Sequence, residues 1–364
     1  MKTLFFTGYP GYLAENLLKQ VLLDEKEIEH VYLLVLPDQQ HSAAEKVAYA
    51  VKQSELSEEA FTIITGDITK ENLDLHPEIN EKLITSVTHV FHLAAIYDLG
   101  ADKELAFHVN INGTEKVNKW AASLKNLERY IYFSTAYVSG TREGRIYEQE
   151  LVKGQTFRNH YEHSKYEAEI LVENLKPYIP TTIIRPGVVR GHSITGETTK
   201  FDGIYFMLNL LERLSSLPTI PYFSKGTAEG NFVPQDYVLK AASFLSFSPV
   251  GEKKTYHLTD PNPYTMKELQ QMLSEAYLGK TPKFTVPSQT TKMLLSIPAL
   301  RKWLKVEKEA MDYFTVHSSY DVSLAASDLA GSGIICPDFK DTIRTMVEFY
   351  RKYKHDHTRH IYIP

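Results

Sequence analysis

Short apolar runs rich in β-branched and aromatic residues recur along the first two-thirds of the chain, at 3–7, 31–36, 62–65, 89–93, 130–134 and 181–184. Runs of this kind, apolar on successive positions rather than on alternate ones, suit strands covered on both faces. Between the first two runs, Leu13, Leu17, Leu18, Val21 and Leu22 return at helical spacing, and Ala168, Leu171, Val172 and Leu175 form a second such stripe. The alternation predicts βαβ units and an α/β fold, a doubly wound parallel sheet. After Pro186 the pattern breaks. Pro218, Pro221, Gly226 and Gly230 punctuate a loop-rich stretch, 256–258 reads as one more strand, and 266–276 and 342–353 read as helices. The pattern therefore predicts a sheet domain over 1–190 with a returning segment at about 230–260, and a smaller, mainly helical C-terminal lobe made of 191–229 and 261–364.

Composition narrows this picture. The 364 residues are 43% apolar and 23% charged, with 40 Lys+Arg against 45 Asp+Glu and a formal charge of -5. No broad attraction for a nucleic-acid backbone or an anionic membrane follows from that balance, so no nucleic acid is expected as partner. The one cysteine, Cys336, cannot form an internal disulfide, which fits a reducing compartment. The apolar run at the N-terminus is too short for a signal-peptide core, and the longest later one, 204–211, is too short to span a bilayer. A cytoplasmic protein with no membrane span is the expectation. The 23 Tyr and 17 Phe are read as core and pocket lining. His355, His357 and His360, with Asp356 among them, are read as a polar terminal segment, and no metal is expected.

The first strand runs into Thr7-Gly8-Tyr9-Pro10-Gly11-Tyr12-Leu13-Ala14. Glycines at a strand-to-helix turn let backbone N–H groups approach a pyrophosphate at the positive end of the helix. Ala14 is small enough for helix and strand to lie close together. This predicts a dinucleotide site, although the spacing is looser than the three-glycine fingerprint.

Tyr161 and Lys165 lie four residues apart in a helical stretch and share one face. A phenol is a poor proton-transfer group at neutral pH, and a fixed positive charge beside it favours the phenolate, so Lys165 is expected to lower the Tyr161 pKa. Ser134 and Thr135 end a strand at the carboxyl edge of the sheet, where open α/β folds bind ligands.

In order and spacing, Gly8/Gly11/Ala14, Ser134-Thr135 and Tyr161/Lys165 resemble the short-chain dehydrogenase/reductase superfamily. Gly66-Asp67, His92-Leu93-Ala94-Ala95, Asn110-Ile111-Asn112-Gly113-Thr114, Arg185-Pro186-Gly187 and Phe232-Val233-Pro234-Gln235-Asp236 are similar to landmarks of its extended branch. Together they cover about residues 1 to 260. Ser134-Thr135-Ala136-Tyr137-Val138 and Gly191-His192-Ser193-Ile194-Thr195-Gly196-Glu197 look most like the fatty acyl-CoA reductase and thioester-reductase (male-sterility-type) group.

The resemblance implies a Rossmann fold with a substrate-binding lobe, and an NAD(P)-dependent oxidoreductase. It implies that Thr135 polarises the substrate oxygen, Tyr161 moves the proton, Lys165 also binds the nicotinamide ribose, and Asn110 completes a proton relay. The cofactor would be held by Thr7, Gly8, Tyr9, Gly11, Tyr12 and Leu13, by Leu36 and Asp38 after the second strand, and by Asp67, Ile68, Ala94 and Ala95. Tyr161, Lys165, Pro186, Gly187 and Val188 complete that set. NADP(H) is favoured by group resemblance, with NAD(H) close behind because Leu36 stands where a basic residue is usual and Asp38 would repel a 2'-phosphate.

Tyr97, Tyr137, Gln155, Phe157 and Tyr205 are candidate substrate residues, chosen because they flank the catalytic set in sequence or begin the lobe. The implied substrate is a fatty acyl thioester or related aldehyde or ketone, tethered to CoA or to a carrier, and the superfamily habit allows a homodimer. A nucleotide-sugar epimerase or dehydratase is the alternative enzyme, although Ala136 stands where a dehydratase would want an acid. A dinucleotide-sensing regulator is the other alternative, which the intact Tyr161/Lys165 pair disfavours.

Overall fold

The computed structural model describes residues 1–97, 102–223, 225–306, 312–313, 315 and 317–361. Seven strands form one parallel sheet: β1 (Lys2–Thr7), β2 (Ile28–Val35), β3 (Phe61–Thr65), β4 (His89–His92), β5 (Arg129–Phe133), β6 (Thr181–Pro186) and β7 (Lys254–Leu258). Their spatial order is β7-β6-β5-β4-β1-β2-β3. The chain builds outward in opposite directions from β1 and from β4, so a crevice opens between those two strands at their carboxyl ends. The longer helices, in chain order, are α1 (Tyr12–Asp24), α2 (Gln40–Gln53), α3 (Pro77–Ser86), α4 (Thr114–Ser123), α5 (His160–Glu173), α6 (Tyr205–Arg213), α7 (Gln235–Phe247), α8 (Met266–Leu278) and α9 (Phe339–Tyr353).

Successive strand residues face opposite sides of a sheet. Leu4, Phe6, Leu33, Val35, Phe91, Ile131 and Ile184 enter a core with α1, α2 and α7, while Phe5, Tyr32, Leu34, Val90, Tyr130 and Ile183 enter another with α3, α4 and α5. That two-sided burial is why the strands read as continuous apolar runs. β2 begins three residues earlier than its pattern suggested, because Glu29 and His30 interrupt the apolar run although Ile28 and His30 pair with Lys2 and Thr3 of β1 across a bulge at Glu29.

A separate apolar core gathers α6, α8 and α9. Helix α8 is bounded by a capping box between Thr265 and Glu268 and by Gly279 in the left-handed region at φ 66°, local chemistry that fixes both ends. One segment departs from the expected division. Ser318–Tyr320 pairs with Gly144–Ile146 beside the sheet domain, and Ala325 and Leu329 join the core of α1 and α7. Glu148 explains the placement: its carboxylate accepts the backbone N–H groups of His257 (3.0 Å), Leu324 (2.6 Å) and Ala325 (3.1 Å).

Candidate active site

The carboxyl ends of β1, β4, β5 and β6 stay in register, with Thr7 beside His92 and Phe133 beside Ile184. The loops leaving them wall a cleft of about 1220 Å³. Gly8 has φ +83°, and a Cβ there would lie 2.6 Å from the Ala94 nitrogen; at Gly11 it would lie 2.7 Å from the Gly8 carbonyl oxygen. Neither position admits a side chain. No side chain among the described residues caps α1, so its N-terminus presents backbone donors to the cleft wall formed by Gly11, Tyr12, Leu13 and Ala14.

Thr7 holds this turn from below. Its hydroxyl accepts the Ala94 N–H at 3.2 Å and lies 2.7 Å from His92 Nδ1, while His92 Nε2 lies 3.1 Å from the Thr114 hydroxyl. Burial pushes the His92 pKa down to about 3, so the ring is neutral and links β1, β4 and α4 by hydrogen bonds alone.

Thr135 and Tyr161 both line the cleft and are buried in its wall. Burial holds the Tyr161 phenol above its ordinary value, and a hydrogen bond with Thr135 works against that rise. The side chain of Lys165 is hydrogen-bonded to the end of β5. The ammonium donates to the Tyr132 hydroxyl at 2.9 Å and to the Phe133 carbonyl at 2.7 Å, and it lies 4.4 Å from the Tyr132 ring centroid. Burial lowers its own pKa to about 7, against the charge of Glu169. The lysine therefore braces the end of β5.

Asn110 lies in a π-helical turn, His108–Gly113, and bridges the chain. It accepts from Ile96 N–H at 2.8 Å and donates to the Ile96 carbonyl and the Ser164 hydroxyl at 3.2 and 2.9 Å. It does not line the cleft. Beneath Ser134, Glu169 accepts the Ser134 hydroxyl and the Arg185 guanidinium (Nε at 2.8 Å), with all three side chains buried. Two cleft walls, the end of β5 and the end of β6, are tied by that carboxylate.

Of the other expected residues, Ala95, Tyr97, Tyr137, Pro186, Gly187 and Val188 also line the cleft. Tyr97 meets Tyr161 edge-on at 5.1 Å between ring centroids. Tyr9 turns its ring into the core of α1. Leu36 and Asp38 are exposed beyond β2, Asp67 accepts the Thr69 N–H and hydroxyl, each at 2.8 Å, and Ile68 packs where a Cβ on Gly113 would fall.

Three proposed substrate residues lie elsewhere. Gln155 donates to the carbonyls of Val138 and Leu151 at 2.9 and 2.8 Å, and Phe157 stacks on His163. Tyr205 is buried in the lobe core with its hydroxyl on the Gly191 N–H at 3.2 Å. One helical step on, Phe206, Met207 and Leu210 face the cleft instead.

Sequence reading missed several lining residues: Lys46 from α2, Arg158 before α5, Thr198 to Lys200, Asp202, Tyr313, Tyr320, and Thr358, His360 and Ile361. The terminal segment is packed, because Phe201 N–H donates to the Arg359 carbonyl at 2.7 Å and Arg359 stacks on Tyr353, 4.7 Å from its ring centroid. Arg158 pairs with buried Glu162 at 3.0 Å, and the Tyr313 hydroxyl donates to that carboxylate at 2.9 Å.

Residues 6–242 match the model of the NAD-binding family described as male sterility protein. The chain belongs to that family. As a member, it shares the extended short-chain dehydrogenase/reductase architecture read from its motifs. Fatty acyl-CoA reductase 1 of Gallus gallus is 27% identical over 222 residues, 52% of this chain and 43% of that protein. The terminal R domain of the myxalamid PKS-NRPS biosynthetic pathway superposes with a TM-score of 0.80 at 22% identity, covering 98% of this chain and 92% of that one. UDP-glucuronic acid 4-epimerase from Bacillus cereus superposes with a TM-score of 0.66 at 18% identity, covering 98% and 99%. At those identities the two structures speak for the fold. The chain spans 26–61% of the length of the first four curated relatives it matches.

A nicotinamide dinucleotide fits the residues present. The Gly8–Gly11 turn is too tight for side chains and carries none into the cleft, no side chain among the described residues caps the start of α1, and Gly8, Gly11, Tyr161, Lys165 and Pro186 to Val188 line the same cleft. Among the described residues, no helix is long and apolar enough to cross a membrane.

Proposed function

We propose that this protein reduces a carbonyl carried on a hydrophobic substrate, a fatty acyl thioester on CoA or on a carrier, with NADP(H) favoured over NAD(H). The observation that carries the reading is the chemistry of the cleft beyond Thr135 and Tyr161: Ile204, Phe206, Met207, Leu210, Phe223, Phe232 and Met266 line it. An apolar wall of that extent suits an acyl chain; the basic side chains on the same cleft, Lys46, Arg158, Lys200 and Arg301, come from separate parts of the chain.

When bound, the reduced nicotinamide supplies a hydride. Tyr161 and Thr135 place two hydroxyls where the substrate oxygen gains charge, the kind of donor pair that stabilises an oxyanion. Because burial raises the phenol's pKa, Tyr161 carries its proton at neutral pH and stands ready to donate it, which is the state reduction requires. Lys165 and Glu169 hold the strand end that presents Thr135. The start of α1 would take the pyrophosphate, and Asp38 and Leu36, after β2, would meet the adenosine ribose.

The test offers purified protein and reduced cofactor acyl-CoAs of several lengths, fatty aldehydes, and UDP- or dTDP-sugars. Cofactor oxidation dependent on acyl-CoA or aldehyde is expected. Turnover of a sugar nucleotide, with no oxidation on any acyl or aldehyde substrate, would overturn the reading. Dissociation constants for both cofactors settle the preference: NAD(H) binding tighter by about tenfold, roughly 1.4 kcal/mol, would show that Asp38 decides against the 2'-phosphate.

A further inference from the structure

The stretch from Ala276 to Val306 holds six basic residues, Lys280, Lys283, Lys292, Arg301, Lys302 and Lys305, and no acidic one. In a chain with a formal charge of -5, that is a strong local inversion, invisible in the whole-chain balance. After the end of α8 and a short strand, Phe284–Thr285, that pairs with Pro221–Tyr222, the stretch folds into two short helices, Ser288–Leu295 and Pro298–Leu304, that pack on each other. Its inner side belongs to the lobe: Leu295, Leu304 and Val306 are buried in that core, Asn209 donates to the Lys305 carbonyl at 2.9 Å, and the Thr291 hydroxyl donates to the Phe223 carbonyl at 2.9 Å. Its outer side is apolar as well. Met293 is 75% exposed, Ile297 51%, Trp303 49% and Leu294 45%, although an ordinary surface hairpin with one buried stripe would be polar there. Lys283 and Lys302 are exposed on the same stretch.

This hairpin stands beside the cleft. Arg301 and Val306 line the cavity, as does Phe223, to which the first helix is tied. Clustered exposed apolar side chains mark an interaction surface, and large apolar groups with a Trp among lysines and an arginine are the composition of a segment lying in the headgroup region of an anionic bilayer.

We infer that the Ser288–Leu304 hairpin docks the protein on an anionic lipid surface, Met293, Leu294, Ile297 and Trp303 entering the interface while Lys283 and Lys302 face the headgroups, so that the cleft opens toward the phase in which long acyl groups collect. The inference rests on the acyl-reduction reading for its purpose, but its test does not use activity.

Phosphatidylcholine vesicles with and without phosphatidylserine are sedimented with the full chain. Binding to the anionic vesicles is expected, falling when salt is raised because exposed charges are screened, and weak on the neutral ones. Trp303 emission should shift to the blue on binding. A Met293→Ser/Ile297→Ser/Trp303→Ser variant should lose at least about tenfold in vesicle partitioning, and Lys283→Glu/Lys302→Glu should lose comparable affinity for anionic vesicles only. Circular dichroism and cofactor binding should match the parent chain in both, since none of these residues lines the cleft. Equal sedimentation with neutral and anionic vesicles, or full binding by both variants, would overturn the inference. So would binding to an acidic carrier protein through this hairpin with no vesicle binding, which would assign the surface to a protein partner. Vesicle binding by a chain that proves inactive on acyl substrates would leave the docking standing and sink only the reductase reading.

Discussion

The Lys165 ammonium donates to the carbonyl of Phe133 at 2.7 Å, on the strand end that presents Thr135, rather than acting as a free charge beside Tyr161. Its partners are the neutral hydroxyl of Tyr132 and that carbonyl, and burial brings its pKa down to about 7. A buried cation is costly to keep charged, and here burial outweighs the opposing charge of Glu169.

That has a consequence for stability. The folded protein releases the Lys165 proton near pH 7, whereas the unfolded chain keeps it to about 10.5. Between those values the unfolded state binds more protons, so stability rises with pH, at most about 1.4 kcal/mol per unit from this one group. Urea midpoints across about pH 7 to 9, for the parent and Lys165→Met, isolate it. The difference between the two chains should tilt in favour of the parent as pH rises, and parallel profiles would show that Lys165 keeps an ordinary pKa.

Tyr161→Phe removes one hydroxyl from a buried ring and leaves its edge-on contact with Tyr97 in place. Fold and cofactor affinity should be kept. Turnover should fall by about 10²- to 10⁴-fold, the usual contribution of a positioned proton donor. Steady-state rates with an acyl-CoA or aldehyde, beside cofactor titration of the same variant, make the comparison. Undiminished turnover would remove Tyr161 from the chemistry.

Glu169 is the group on which Ser134 and Arg185 both depend. Truncating it strands a buried guanidinium, so Glu169→Ala should lose about 3–5 kcal/mol of folding stability. A double variant that also replaces Arg185 with Met should recover part of the loss, because the buried guanidinium is then gone. Denaturant unfolding of the two single variants and the double gives the coupling directly. Additive losses would mean that the pair is not coupled as the geometry implies.

The parts of this molecule legible in its sequence are those that local periodicity specifies. Leu4 to Thr7 and Val31 to Val35 read as strands because both faces are covered, and Tyr161 and Lys165 fall on one helical face whatever surrounds them. What escaped was set by long-range packing. Tyr205 was one helical step from Phe206 and Met207, and the direction of the cleft decides which step matters. Gln155 and Phe157 are near Tyr161 in sequence, yet their loop turns them to Val138 and His163. Thr358, His360 and Ile361 reach the cleft from the far end of the chain, and no pattern near them signals it. For Lys165 too, spacing gave its position and said nothing of the Phe133 carbonyl to which it donates.

The turn between β1 and α1 offers the sharpest control. Gly8 sits at φ +83°, where an L-residue is strained by roughly 1–2 kcal/mol, and the added Cβ of Gly8→Ala would meet the Ala94 nitrogen at 2.6 Å and the Leu93 carbonyl carbon at 2.7 Å. Both are backbone atoms, which cannot swing aside as a side chain would. The loop after β4 must move, and it lines the same cleft through Leu93 and Ala95. Gly144 has a similar φ, +78°, with nothing within 4 Å of its built Cβ, so Gly144→Ala carries the strain without the clash. Both variants should lower the unfolding midpoint, Gly8→Ala the more. Only Gly8→Ala should weaken NAD(P)(H) binding, by more than about tenfold, as read by quenching of protein fluorescence or by calorimetry. Equal cofactor affinity in the two variants would mean that the dinucleotide is not cradled by this turn, and the placement of the cofactor would have to be abandoned with it.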